Sequence, residues 1–254
     1  MNIHFPVSIS IGGHSILLHT LTEFLGMFIG FRYFLLLRKK QGDQISQMNR
    51  IYILIGAIFG SIIGSRLVGG FEDPEQLRMT ENVWMHFYNN KSIAGGLLGG
   101  LLGVEGIKKI IGEKQRSGDL FVFPLLLAII IGRTGCFSMG IYEDTYGKPT
   151  TFFMGMDLGD GLMRHPVILY EIIFLSLLSI LLIQLKKKFT LASGDLFKCF
   201  LWSYFFFRFF IEFLKPSYTF YGALSTIQIC SLIGMLYYLP DILKWLTHKS
   251  TATN

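Results

Sequence analysis

The sequence has 254 residues, of which 51% are hydrophobic and 16% charged, with a mean hydropathy of +0.49. A soluble domain averages about 25% charged residues, so the shortage of charge excludes one or two soluble domains, and the 24 Phe exclude disorder. The formal net charge of +6 points to nucleic acid or to an anionic membrane surface, and the placement of the charges decides between them.

A hydrocarbon core about 30 Å thick takes about 20 mostly apolar helical residues, and the chain offers seven such runs. Residues 1–15 precede the first without a Lys or Arg, so the positively charged start of a secretory signal is missing. The first run, roughly 16–37, carries His19 and Glu23 four residues apart and therefore on one face. The second, 51–70, has Gly56, Gly60 and Gly64, with Arg66 near its end. The third, 93–111, repeats Gly95, Gly99 and Gly103 beside Gly96 and Gly100. Small residues four apart let helices approach closely, which predicts an interior helix. The fourth, 119–132, is short and emerges at Arg133. An external loop of about 132–165 follows. The fifth, 166–185, opens beside His165 with Tyr170 and Glu171 a turn or so deeper. The sixth, 196–214, ends with Arg208 and Glu212 four apart, and the seventh, 223–246, opens with Ser225 and Gln228.

The distribution of Lys and Arg orients these spans. With the N-terminus outside, thirteen fall in cytoplasmic segments and six in external ones, although the external loops are longer. The expected fold is all-α, a single seven-helix membrane domain over 1–254, N-out and C-in. The basic excess is then topology signal, and no nucleic-acid partner is called for. The acidic stretch Glu72, Asp73, Glu75 and Glu81 accords with an external loop. Three cysteines (Cys136, Cys199, Cys230) with no CxxC pair indicate neither a disulfide framework nor a zinc site, and no cofactor is expected.

Ionisable residues inside spans are costly and mark function by default. In this orientation Arg66, Arg133 and Arg208, with His19, His165, Glu23, Glu171 and Glu212, all fall towards the outer leaflet. Only Arg32, Glu105 and Lys198 fall towards the inner face. Guanidinium forks match phosphate geometry, so such a cluster suits an anionic phospholipid head group. The alternative is that Arg208/Glu212 and His19/Glu23 are structural pairs that hold helices together. The aromatic and Met content of the long loop (Phe137, Met139, Tyr142, Phe152, Phe153, Met154, Met156) predicts a segment at the lipid interface that covers the site.

At these residues the chain resembles the bacterial prolipoprotein diacylglyceryl transferases. The run from Gly132-Arg133-Thr134-Gly135-Cys136-Phe137 to Ile141 is similar to the family's G-R-x-G-N-F-x-N-x-E. His165-Pro166 through Leu169-Tyr170-Glu171 resembles H-P-x-x-L-Y-E, and Arg208-Phe209 with Glu212-Phe213 resembles R-F-x-x-E-F. Leu224-Ser225 with Gln228 and Ser231 matches L-S-x-x-Q-x-x-S, and Gly64-Ser65-Arg66-Leu67 matches G-x-R-L. The family also has seven spans and an external N-terminus. It moves the diacylglyceryl group of phosphatidylglycerol onto the lipobox cysteine of a secreted precursor, and glycerol phosphate leaves. The resemblance implies that Arg133 and Arg208 hold the phosphate, that Glu212 orients Arg208 and that Arg66 assists. It further implies donor-site roles for Gly132, Gly135, Gly95 and Gly96, and for His165, Tyr170, Glu171, Ser225 and Gln228.

The departures concern hydrogen-bonding residues. Cys136, Met139 and Ile141 stand where the signature has Asn, Asn and Glu. Ala94 stands where the family has a His before Gly95-Gly96, and His19-Thr20 falls near the family's Tyr-Gly pair. His19 is one candidate for the catalytic base, since an ordinary imidazole titrates near pH ~6.5. Glu143 or Asp144 could return to the place of the missing Glu. His165 is expected to position its helix, and Cys136 to be a packing substitution rather than a covalent nucleophile. The expected function is diacylglyceryl transfer to a lipobox cysteine or a related acceptor, with a membrane phospholipid and a secreted precursor as partners. The alternative is a non-catalytic, lipid-binding protein of the same fold.

Overall fold

The computed structural model describes residues 4–116, 118–216 and 224–250. In chain order they form β1 (Ser8–Ile11), β2 (His14–Leu17), α1 (Leu18–Gln41), α2 (Gln47–Gly70), α3 (Pro74–Met79), α4 (Val83–Asn89), α5 (Ile93–Ile111) and α6 (Asp119–Met139). A 3-10 turn (Gly140–Tyr142) leads to β3 (Met156–Asp157), β4 (Met163–Arg164), α7 (Val167–Lys188) and α8 (Asp195–Ile211). A second 3-10 turn (Glu212–Leu214) follows, and α9 (Thr226–Ser250) closes the chain. Residue 223, where the seventh apolar run opens, lies outside the described residues.

Among the described residues, five helices are long and apolar enough to cross a membrane: α1, α2, α6 with its 3-10 turn, α7 and α9. Their outward faces are apolar, with Phe24, Phe28 and Phe59 each more than 60% exposed. A soluble surface does not carry large aromatic side chains in such number, and lipid accommodates them. The predicted third and sixth runs are the helices α5, which carries Glu105, Lys108 and Lys109 within 19 residues, and α8, which has 17 residues.

The chain divides into two compact units. The first comprises Met1–Gly42, Gly118–Ala192 and Leu214–Pro216; the second comprises Asp43–Ser117, Ser193–Phe213 and Ser217–Asn254. In the first, α1 packs along α6 and α6 against α7. The hairpin β1–β2 precedes α1, its register set by a two-residue Gly12-Gly13 turn with both φ positive. Val7 N–H donates to the Ser138 carbonyl at 2.8 Å, which ties the N-terminal segment to the end of α6.

In the second unit, α2 and α5 meet along their glycines, as the four-residue spacing predicted. A Cβ built on Gly103, Gly99 or Gly95 would lie 2.1–2.4 Å from the carbonyl oxygen of Gly56, Gly60 or Gly64. Backbone touches backbone along three turns, which no larger residue permits. At the start of α2, Arg50 donates through Nε to Asp43 at 2.7 Å. Its side chain is only 1% exposed, so this member of the cytoplasmic charge count is neutralised inside the protein.

One boundary differs from the sequence-based expectation. The fourth span does not end at residue 132, and the loop does not begin there: α6 continues to Met139. Gly132 and Gly135 do not stop it because tertiary contact overrides their low propensity. Gly135 is pressed on α1, where a Cβ would lie 1.9 Å from Thr22 Oγ1 and 3.0 Å from His19 Cα. The helix stops at Gly140, whose φ of 59° leaves the helical region.

Candidate active site

The altered signature is therefore helical. Positions 133 and 136 fall one turn apart on α6, which brings Arg133 and Cys136 side by side. Arg133 is 4% exposed, and its Nη2 lies 2.9 Å from Oε2 of Glu171 on α7, itself 1% exposed. Its Nη1 donates to Cys136 Sγ at 3.8 Å. The Arg133–Glu171 pair thus joins two helices through a buried, charge-assisted contact.

Three further groups gather at this end of α6. One donor atom each from His19 on α1, Cys136 on α6 and Glu143 just past the 3-10 turn lie within 4.8 Å of one another, and all three residues are half-buried. Glu143 does return towards the signature, as its spacing allowed. Burial pushes its carboxyl up from the ordinary carboxylate range, against the opposing pull of Arg133 and His19. His19 Nε2 is 3.8 Å from Glu23 Oε1, the predicted one-face pair. His19 Nδ1 is buried without a hydrogen-bond partner among the described residues.

The rest of the loop in this unit is built around β3 and β4. His165 N–H donates to the Lys148 carbonyl at 3.1 Å, and the His165 carbonyl would lie 2.2 Å from a Cβ at Gly147. Its Nδ1 is 3.3 Å from the Tyr170 hydroxyl. His165 and Tyr170 thus fix the loop onto the start of α7. The loop's tip is apolar and open, with Phe153 85% exposed, which suits an interfacial position. Gly132 has no atom within 4 Å of a built Cβ.

In the second unit, Arg208 and Glu212 pair at 3.3 Å and are 2% and 0% exposed. Ser225 and Gln228 form a reciprocal capping box. Gln228 N–H donates to Ser225 Oγ at 3.2 Å, and Ser225 N–H donates to Gln228 Oε1 at 2.9 Å. Gln228 Nε2 also donates to the Phe209 carbonyl at 3.2 Å, joining α9 to α8. Arg66 donates to the Tyr88 carbonyl and lies 4.9 Å from the centroid of the Tyr88 ring. Gly95 packs on Gly64 and Val68, and Gly96 makes ordinary contact with Ser65. Gly95 thus lies in the α2–α5 contact, and Ser225 and Gln228 cap α9.

Lys215, one of the six basic residues assigned by sequence to external segments, is a buried charge, 1% exposed. Its place between the aromatic end of α8 and Pro216 was the available signal.

Residues 6–241 match the family described as prolipoprotein diacylglyceryl transferase. The chain belongs to that family. A phosphatidylglycerol–prolipoprotein diacylglyceryl transferase of Finegoldia magna is 26% identical over 238 positions, covering 89% of this chain and 90% of its own. The protein of that name from Bordetella bronchiseptica is 33% identical over 182 positions, 68% of this chain and 66% of its own. The one from Campylobacter hominis is 26% identical over 266 positions, 98% and 94% respectively. Within the prolipoprotein diacylglyceryl transferase pattern, the departures now have places. Cys136 adjoins Arg133, Met139 ends α6, and Ile141 donates its N–H to the Leu158 carbonyl at 2.9 Å. Two residues beyond Ile141, Glu143 brings a carboxylate to the cluster.

Proposed function

We propose that this chain transfers the diacylglyceryl group of phosphatidylglycerol to the lipobox cysteine of a secreted precursor protein. It is a multi-pass membrane transferase, and the observation that carries the reading is Arg133, buried in the retained signature and braced by Glu171. A guanidinium held in that way needs no reorganisation when negative charge builds on the departing phosphate, the condition for electrostatic stabilisation of a transition state. Arg208, held by Glu212, acts on the same phosphate chemistry, and Arg66 assists. The acceptor's sulfur must lose its proton before it attacks, because the thiolate is the nucleophile. The S–C bond forms as the C–O bond to phosphate breaks, and glycerol phosphate leaves with the electron pair. His19, in the cluster with Cys136 and Glu143, is the group offered by the sequence for the acceptor's proton. Gly132 and Gly135 shape the donor side of α6, with His165, Tyr170 and Glu171 at the start of α7.

We further propose that α5 and α8 cross the membrane with the other five, giving a single seven-helix domain, N-out and C-in. The two-to-one excess of Lys and Arg in the segments assigned to the cytoplasm supports this. The reacting groups then face the outer leaflet.

The test is transfer of labelled phosphatidylglycerol to a lipobox peptide in reconstituted membranes. Arg133→Ala and Arg208→Ala each should lower turnover by about 100-fold or more, the usual cost of losing a preorganised charge-stabilising donor. Undiminished turnover in both variants removes the phosphate reading. Lipid that binds without release of its head group favours a non-catalytic, lipid-binding protein of the same fold, and failure to rescue cells depleted of their own transferase argues against the lipobox cysteine as acceptor.

A further inference from the structure

The cluster at the end of α6 brings together three donors, of which the transferase reading uses only His19. His19, Cys136 and Glu143 offer one nitrogen, one sulfur and one carboxylate oxygen within 4.8 Å of one another. They come from three places in the sequence, so no ligand spacing announces them. The approach of their helices is fixed nearby, because Gly135 lets α6 lie against the backbone of His19. Imidazole, thiolate and carboxylate are the ligand types of zinc, and three protein ligands with a fourth position left open is the arrangement of its reactive sites. Tetrahedral ligands of that kind stand about 3.5 Å apart, so small side-chain rotations close the set around an ion. A thiolate together with an imidazole selects the zinc class over magnesium or calcium.

One observation supports coordination over simple packing. His19 Nδ1 is buried with no hydrogen-bond partner among the described residues, while Nε2 lies 3.8 Å from the Glu23 carboxylate. A carboxylate on that side is placed to orient a ligating imidazole through its other nitrogen.

We infer that His19, Cys136 and Glu143 form a three-ligand site for a divalent cation of the zinc class, its fourth position open beside Arg133. Resting on the transferase reading, the open position takes the acceptor's thiol. A thiol bound to such an ion is deprotonated outright. Its proton passes to water, its sulfur forms the new S–C bond, and the electron pair of the broken C–O bond leaves with glycerol phosphate. The ion then does the work otherwise asked of His19 as a base, at the positions where the family's own hydrogen-bonding residues are replaced.

The experiment uses the full chain, purified in detergent without a polyhistidine tag. Zinc is measured by elemental analysis, and the protein is then stripped and titrated with cobalt(II). The expected result is about one zinc per chain and, with cobalt, a thiolate-to-metal charge-transfer band with the intense visible spectrum of a tetrahedral site. Cys136→Ser abolishes the charge-transfer band, His19→Ala lowers the bound metal to about a tenth or less, and Cys199→Ser changes neither. Matching melting temperatures for Cys136→Ser and the parent exclude unfolding as the cause. A parent protein that binds no zinc and gives no charge-transfer band overturns the site, as does a band that survives Cys136→Ser. Turnover by a metal-free chain overturns the site's role and leaves the transferase reading intact. Metal binding without any turnover does the reverse.

Discussion

Each compact unit buries an arginine against a carboxylate, but Arg133 reaches from α6 to Glu171 on α7, whereas Arg208 meets Glu212 one turn along its own chain. The first pair exists only when two helices have packed. The second needs only α8 and the 3-10 turn that follows it. In a membrane the spanning helices persist after their packing is lost, so the two pairs are unequal as tertiary contacts even though both are almost fully buried. Their surroundings differ in the same sense. Around Arg208 the retained motif residues hold the ends of helices together, as the Ser225–Gln228 box does. Around Arg133 the altered residues gather, with Cys136 and Glu143 in reach of His19. The signature can change where the arginine is braced from a neighbouring helix, because the brace is independent of the residues that changed.

A double-mutant cycle separates the two pairs most sharply. Measured by reversible unfolding in mixed micelles, Arg133→Ala with Glu171→Gln should show coupling of about 1–3 kcal/mol, the range for contacting residues. Arg208→Ala with Glu212→Gln should show about 0.5 kcal/mol or less, because an i, i+4 pair survives in the separated helix. Equal coupling in the two cycles breaks the comparison.

The two glycines flanking Arg133 offer a smaller contrast. Gly135→Ala places a methyl 1.9 Å from Thr22 Oγ1 and 3.0 Å from His19 Cα, so α1 must move. Overpacking of that kind costs about 1–3 kcal/mol. It should also displace His19 and lower transfer activity more than the loss of stability explains. Gly132→Ala meets nothing within 4 Å and should leave stability unchanged, or raise it by up to about 1 kcal/mol through helix propensity. Melting temperature together with turnover distinguishes the two.

Much of this architecture was legible because apolar length and glycine spacing are local signals. The run 93–111 coincides with α5, and Gly95, Gly99 and Gly103 find the predicted close approach. The continuation of α6 through Gly132 and Gly135 was not legible, since what sustains it is contact with α1, a segment more than a hundred residues earlier. The β1–β2 hairpin did carry a local signal, alternating Ser and Ile before a Gly-Gly pair, but membrane runs dominate so apolar a sequence. At the site, the motif order gave the arginines and their carboxylates. The His19–Cys136–Glu143 cluster depends on how α1 meets the end of α6, and no spacing encodes that. Ser225 and Gln228 fit a family motif in sequence, and their reciprocal hydrogen bonds, which cap α9, appear only in the fold.

The arginine–carboxylate pair Arg164–Asp160 marks the weak end of the comparison. Arg164 donates to Asp160 through Nε at 2.9 Å and Nη2 at 2.6 Å in the connection to α7. Its side chains are 13% and 24% exposed, against 5% and 1% for Arg133 and Glu171. The hydrogen bond from Arg164 holds the Asp160 carboxyl below its ordinary range. A depressed carboxyl contributes its stability above the unfolded-state range and loses it as pH falls through the lowered folded value. The guanidinium stays charged throughout, so acid releases the pair from the Asp160 side alone. Pairs in contact with water contribute about 1 kcal/mol or less, and the loss should remain local. Hydrogen exchange of the 156–164 segment, corrected for intrinsic rate, should rise as the pH falls below the ordinary carboxylate range, while exchange in α6 and α7 does not. Asp160→Asn should raise exchange at neutral pH and flatten the dependence. An acid transition that spreads into α6 would show that the exposed pair is coupled to the buried one, and that depth alone does not set their difference.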